Sequence, residues 1–191
     1  MGLLLFSAVV QFAALRTNPP GFFLDESSIA YNAHTIAQTG RDEHGEEWPL
    51  FFRAFGEFKN PVYIYVLAAV FRLTGPGIVA ARVLSAMLGL LTIALLGSLA
   101  FRITQSRGTA LLLSLLVVFT PWTFELSRLV LEVAIYPFAV VLYLLAVWKA
   151  AGKARWGATQ ICGLAGTLAL LTYSYSIGRL FAPLLALGLI E

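Results

Sequence analysis

The sequence predicts an all-α, polytopic membrane protein with about six transmembrane helices and amphipathic juxtamembrane helices in its first extracytoplasmic loop. Three observations carry this. Mean hydropathy is +0.83 and only 12% of residues are charged, against roughly a quarter in soluble domains. The apolar residues fall in blocks separated by short polar punctuation, the pattern of several bilayer-crossing helices. The cations, finally, are distributed along the chain in a way that favours one topology.

The first apolar run covers residues 2–15. At about 1.5 Å per residue it reaches roughly 21 Å, short of a hydrocarbon core of about 30 Å. No basic segment precedes it and no small-residue cleavage site follows, so it argues poorly as a signal peptide. The last run, 180–190, stops at Glu191 about halfway across. Both ends read as cut. The chain is therefore expected to be the N-terminal transmembrane module of a longer protein. Its parts would be a first span at 1–16, an extracytoplasmic loop with juxtamembrane helices at 17–78, and further spans over 79–191.

Between those ends lie apolar runs at 62–73, 79–101, 109–124, 133–148 and 156–172. Residues 62–73 are short, bounded by Pro61 and Gly75-Pro76-Gly77, and contain Arg72. That suits an interfacial or re-entrant helix. With this segment on the surface, Arg102, Arg107, Lys149, Lys153 and Arg155 share one side with no acid among them. The other side receives the loop 25–57, the Glu125/Arg128/Glu132 group and the turn from Tyr173 to Arg179. This is the positive-inside distribution, and a crossing at 62–73 would invert it. The acidic loop is placed outside, and the chain in the cell (inner) membrane.

That loop opens on adjacent acids, Asp25-Glu26. Carboxylates beside a bilayer lose part of their hydration and readily serve as proton acceptors. Asp25-Glu26-Ser27-Ser28 can start a helix, with Asp25 as N-cap or first-turn acid. An apolar stripe of Ile29, Tyr31 (less regularly), Ala33, Ile36 and Ala37 runs to Gly40, predicting a helix flat against the membrane. The acidic run Asp42-Glu43-His44-Gly45-Glu46-Glu47 has no helical spacing and reads as a solvated loop, not a metal site. Trp48-Pro49-Leu50-Phe51-Phe52 suits an anchoring belt at the headgroup layer. Lys59, ahead of Asn60-Pro61, is placed to meet a lipid phosphate.

Further charges gather at the same side. Arg82 opens the second crossing, Arg128 and Glu132 flank the third and fourth, and Arg179 opens the sixth. Charges near membrane depth are expensive and invite a partner or a function. Arg128 and Glu132, four apart, would pair on one helical face, and Arg82 and Arg179 could snorkel to the surface. A carboxylate base facing several cations is also what sugar transfer from a lipid phosphate requires. Tyr173 and Tyr175 read singly as interfacial anchors; with Arg179 they could line a sugar site. A net charge of +3, scattered, argues against nucleic acid, and the single Cys162 permits neither an intrachain disulfide nor a cysteine metal centre.

Taken together, these stretches resemble the glycosyltransferase C superfamily, in its bacterial branch similar to protein O-mannosyltransferases and aminoarabinose transferases. The resemblance rests on Leu24-Asp25-Glu26 with Tyr31-Asn32-Ala33, and on Thr39 to Gly45 leading to Trp48-Pro49-Leu50. It continues through Phe55-Gly56-Glu57-Phe58-Lys59-Asn60-Pro61 with Tyr63 and Tyr65, then Ala81 to Ala86 with Gly89. Ser127-Arg128 with Glu132, and Tyr173-Ser174-Tyr175 with Arg179 and Pro183-Leu184, complete it. It implies an inverting membrane enzyme that moves a sugar from a polyprenyl-phosphate donor to an extracytoplasmic acceptor, whether lipid, glycan or protein. It places the catalytic base on Asp25, with Glu26 as its neighbour. Donor-phosphate or substrate contacts fall on Lys59, Arg82, Arg128, Glu132, Tyr173, Tyr175 and Arg179, with no cofactor implied. The family's lysine-proline-proline pattern reads here Lys59-Asn60-Pro61, with one proline lost. Two other classes compete: a non-catalytic membrane subunit, and a lipid transporter or flippase. The latter predicts ionisable groups near mid-span, whereas this chain keeps its charges at helix ends.

Overall fold

The computed structural model describes residues 2–189; Met1, and Ile190 with Glu191 at the end of the last apolar run, lie outside the described residues. Helix makes up 71% of the structure, as expected where long apolar runs must satisfy their own backbone groups.

α1 (Gly2–Phe12) is followed by an irregular passage to α2 (Leu24–Thr39). The α2 start is held by the Glu26 carboxylate, which accepts from the Phe23 N–H at 3.0 Å; Asp25 sits in the first turn, where a negative charge meets the positive helix end. Gly40, at φ +71°, ends the helix in the left-handed conformation that costs glycine least.

A small hairpin then interrupts the helical chain. β1 (Phe52–Ala54) and β2 (Glu57–Lys59) pair antiparallel, with Phe52 opposite Lys59 and Ala54 opposite Glu57. Phe55 and Gly56 both take positive φ in the turn, as tight hairpin turns require. The all-α expectation is corrected here: strands of three residues are too short to leave an alternation in the sequence.

α3 (Pro61–Thr74) begins on a proline whose missing N–H costs nothing at a first turn. α4 (Ile78–Thr104) is about 40 Å long, more than a hydrocarbon core, so its first turns can stand clear of it. α5 (Arg107–Phe119) and α6 (Pro121–Leu126) are separated only by Thr120. A 3-10 turn (Glu132–Ile135) runs directly into α7 (Tyr136–Ala151), and α8 (Ala158–Ser174) and α9 (Gly178–Leu187) complete the chain. Among the described residues, Ile78–Thr104 and Glu132–Ala151 are long and apolar enough to cross a membrane, while α1, α3, α5 and α9 are shorter.

Two cores form. Near the hairpin, Ile29, Ala33 and Ile36 of α2 meet Tyr63, Ile64, Leu67 and Phe71 of α3, with Phe52, Ala81, Leu88, Val130 and Ile135 packed around them. The stripe expected to lie on the membrane is thus buried against α3, except for its less regular member Tyr31, which is 55% exposed. A neighbouring helix removes more apolar surface from water than a headgroup layer does, because side chains interdigitate only with a solid partner. The second core joins Ala139 and Tyr143 of α7 to Leu164 and Leu171 of α8 and Ala182 of α9.

Candidate active site

The first turn of α2 and the end of β2 converge. Lys59 Nζ donates to Asp25 Oδ1 at 2.8 Å and to Glu57 Oε1 at 2.6 Å. The lysine side chain is only 10% exposed, whereas Asp25 and Glu57 remain 53% and 65% exposed. Burial pulls the Lys59 ammonium down, but hydrogen bonds and charge from Asp25 and Glu57 outweigh it and leave the group above its ordinary range. Two carboxylates against one ammonium give this cluster a net negative charge.

One residue further on, Asn60 is fully buried. Its backbone N–H donates to one Glu132 oxygen. Its side-chain Nδ2 donates to the other, Oε1, at 3.1 Å and to Ser176 Oγ at 3.3 Å, while Oδ1 accepts from Arg179 Nη2 at 2.9 Å. Arg179 lies over the Phe51 ring, 4.6 Å from its centroid, a favourable seat for a cation. Phe51 in turn leans on Tyr173 at 6.1 Å, and Tyr175 meets Tyr136 edge-on at 6.0 Å. Arg179 reaches this position because α9 starts against the end of α8: a β-carbon at Gly178 would overlap the Leu171 carbonyl oxygen.

The remaining charges form a separate, closed set. Glu26 and Arg82 side chains are both 0% exposed, 3.3 Å apart. Glu26 also accepts from the Val130 N–H at 3.0 Å, and Arg82 donates to the carbonyls of Leu15, Pro19 and Gly21. Arg128 is likewise buried, with its guanidinium on the carbonyls of Val10, Gln11, Ala13 and Asn18 and 5.1 Å over the Phe124 ring. Glu26, Arg82 and Arg128 thus tie α2, α4 and the 127–131 passage to the end of α1 and the segment after it. The helical pairing of Arg128 with Glu132 does not form. The chain leaves helix after Ser127, and Leu131 is extended, so each side chain finds a different partner.

Of the residues singled out in the sequence, Asp25, Lys59, Glu132 and Arg179 gather at one end, with Tyr173 and Tyr175 beside them. Glu26, Arg82 and Arg128 stand in the closed set. Glu57, Phe51 and Ser176 join the open group without having been singled out as contacts; only the position of Asn60 in a proline's place marked it beforehand. The acidic run closes its own loop: Asp42 Oδ1 accepts from the N–H groups of His44 and Glu46, Glu43 exchanges bonds with Asn32, and Glu47 pairs with Arg41. Among the described residues no group of three His, Cys, Asp or Glu could hold a metal ion.

Beside this end runs an apolar groove of about 560 Å³, lined by Trp48, Leu50, Val62, Val66, Leu170 and Tyr173, among others.

The family model of dolichyl-phosphate-mannose-protein mannosyltransferases matches residues 42–191. That span includes Lys59, Asn60, Glu132 and Arg179, whereas Asp25 and Glu26 precede it. Neither a curated protein nor a solved structure matches the chain.

Proposed function

The chain belongs to the dolichyl-phosphate-mannose-protein mannosyltransferase family, and from that premise we propose that it transfers a sugar from a polyprenyl-phosphate donor to an extracytoplasmic acceptor. The observation that carries this reading is the meeting of Asp25 with Lys59, 34 residues apart in sequence, at an exposed end that also holds Arg179. In the proposed reaction the acceptor oxygen or nitrogen attacks the anomeric carbon as the bond to the donor phosphate breaks. The electron pair leaves on the phosphate, configuration inverts, and Asp25 takes the acceptor's proton. Lys59 and Arg179 offset the charge growing on the leaving phosphate. Tyr173 and Tyr175 offer ring faces and hydroxyls to the sugar. The groove that Tyr173 helps to line suits a prenyl chain, whose apolar carbons leave water or lipid for a lined channel.

Asp25 begins as the partner of Lys59, whose ammonium occupies the carboxylate oxygen that would face the acceptor. A phosphate arriving at Lys59 takes over that ammonium and releases the carboxylate, so donor binding prepares the base. Glu26, Arg82 and Arg128 act by holding the backbone around Asp25. Glu132 acts through Asn60.

The proposed topology puts the first loop outside a cell membrane, with about six crossings. α5 and α6 together supply one of them, their combined length approaching the 30 Å of a hydrocarbon core. Replacing Asp25 by Asn in the full chain tests the reading. Sugar transfer should collapse while the folded yield stays the same; undiminished transfer rejects Asp25 as the base.

A further inference from the structure

We infer that Asn60 is a positioning residue that aims Arg179 at the donor phosphate. This rests on the transfer reaction proposed above and deepens it. The three bonds of its side chain admit only one orientation of the amide. The NH2 must face the Glu132 carboxylate and the Ser176 hydroxyl, and the oxygen must face Arg179; turning the amide over would set oxygen against carboxylate and NH2 against guanidinium. Glu132 therefore orients Asn60, and Asn60 orients Arg179. Asn60 itself is fully buried, so its amide depends on these partners and not on bulk water.

Of Lys59, Arg82, Arg128 and Arg179, the last is the one this arrangement leaves available. Lys59 is answered by two carboxylates, and Arg82 and Arg128 are enclosed by their partners. Among the described residues, Arg179 has no carboxylate at ion-pair distance, and its guanidinium has one hydrogen bond, to Asn60. The Phe51 ring covers one face of the guanidinium. With one edge on Asn60 and one face on Phe51, its remaining N–H groups are open to solvent in a fixed direction. A planar fork held this way suits the oxygens of a phosphate. A proline at position 60 would remove both the amide and the N–H that reaches Glu132, so the asparagine gives this chain a link that the lysine-proline-proline pattern lacks.

The test is a double-mutant cycle in the full chain, reading the binding of a short-chain prenyl phosphate and, separately, sugar transfer. Asn60→Ala should weaken prenyl-phosphate binding on the order of tenfold, the worth of one hydrogen bond to a charged group. Phe51→Leu, which leaves Glu132 untouched and serves if Asn60→Ala does not fold, should weaken it in the same direction. In an Arg179→Ala background neither change should have a further effect, because both act through that guanidinium. Losses that simply add to that of Arg179→Ala overturn the inference, as does binding unchanged in both single variants or absent in the unmodified protein. Normal prenyl-phosphate binding without sugar transfer rejects the transferase reading, and the cycle still decides the role of Asn60.

Discussion

Asp25 and Glu26 are chemically near-identical neighbours on one helix turn, and the fold treats them oppositely. Glu26 faces inward, fully buried, with Arg82 and two backbone N–H groups as partners. Asp25 faces outward, half exposed, against one lysine that it shares with Glu57. The cations divide the same way. Arg82 and Arg128 sit on carbonyls from the end of α1 and the segment after it, while Lys59 and Arg179 stand at the open end. A buried charge with several fixed partners holds segments together and cannot easily exchange them. A charge with exposure to spare can. On this reading the closed set is the frame, and the open set does the chemistry.

The contrast is broken or sharpened most strongly at Asp25 itself. Asp25→Asn should lower sugar transfer by about 10²–10⁴-fold, the usual contribution of a general base, with little change in thermal stability. Glu26→Gln should show the reverse emphasis, lowering the melting temperature in detergent far more than the rate per folded molecule. Equal loss of rate per folded molecule in the two variants would erase the distinction.

Next in size is the buried pair. Arg82→Met should destabilise the chain by about 3–5 kcal/mol, because it strands the Glu26 carboxylate and three carbonyls without their donor. Adding Glu26→Leu should recover part of that loss. A calorimetric or dye-based melt showing Arg82→Met as stable as the unmodified chain would remove Arg82 from the frame.

Gly178→Ala is expected to cost about 1–3 kcal/mol by forcing α9 away from the Leu171 carbonyl. Displacing α9 also shifts Arg179, so donor affinity should fall with stability. A variant that loses stability but binds prenyl phosphate normally would show that the helix start and the cation are independent.

The smallest expected effect concerns pH. The folded Lys59 group lies above its ordinary value of 10.5. The stability it contributes is therefore fully present below that ordinary value and is lost as pH rises through the folded one. Between pH 6 and 9 the difference in melting temperature between the unmodified chain and Lys59→Met should stay flat. A slope in that difference would mean that Lys59 titrates in this window.

Much of the frame was legible in the residues. Gly40 and Gly75 stop their helices where glycine after an apolar stripe predicts, and the segment between Pro61 and Gly75 is a short helix, as its length and boundaries require. The α2 stripe was legible as apolar, but its partner was not, since periodicity names a face and says nothing of what covers it. The hairpin left no signal because strands of three residues are too short to show an alternation. Arg128 and Glu132 have helical spacing yet lie where the chain departs from helix, so the rule for their pairing never applied.

Composition and the order of apolar runs were enough to determine a helical membrane protein, and the adjacency of Asp25 and Glu26 marked where its charged side chains begin to pair. Which of the two acids stays open, which arginines are consumed as staples, and that Asn60 joins Glu132 to Arg179 were decided only by the tertiary structure. The reason is distance along the chain. A charge is free or spent according to partners that arrive from 34 residues away for Asp25 and 119 for Arg179, and no local pattern records which segments will meet.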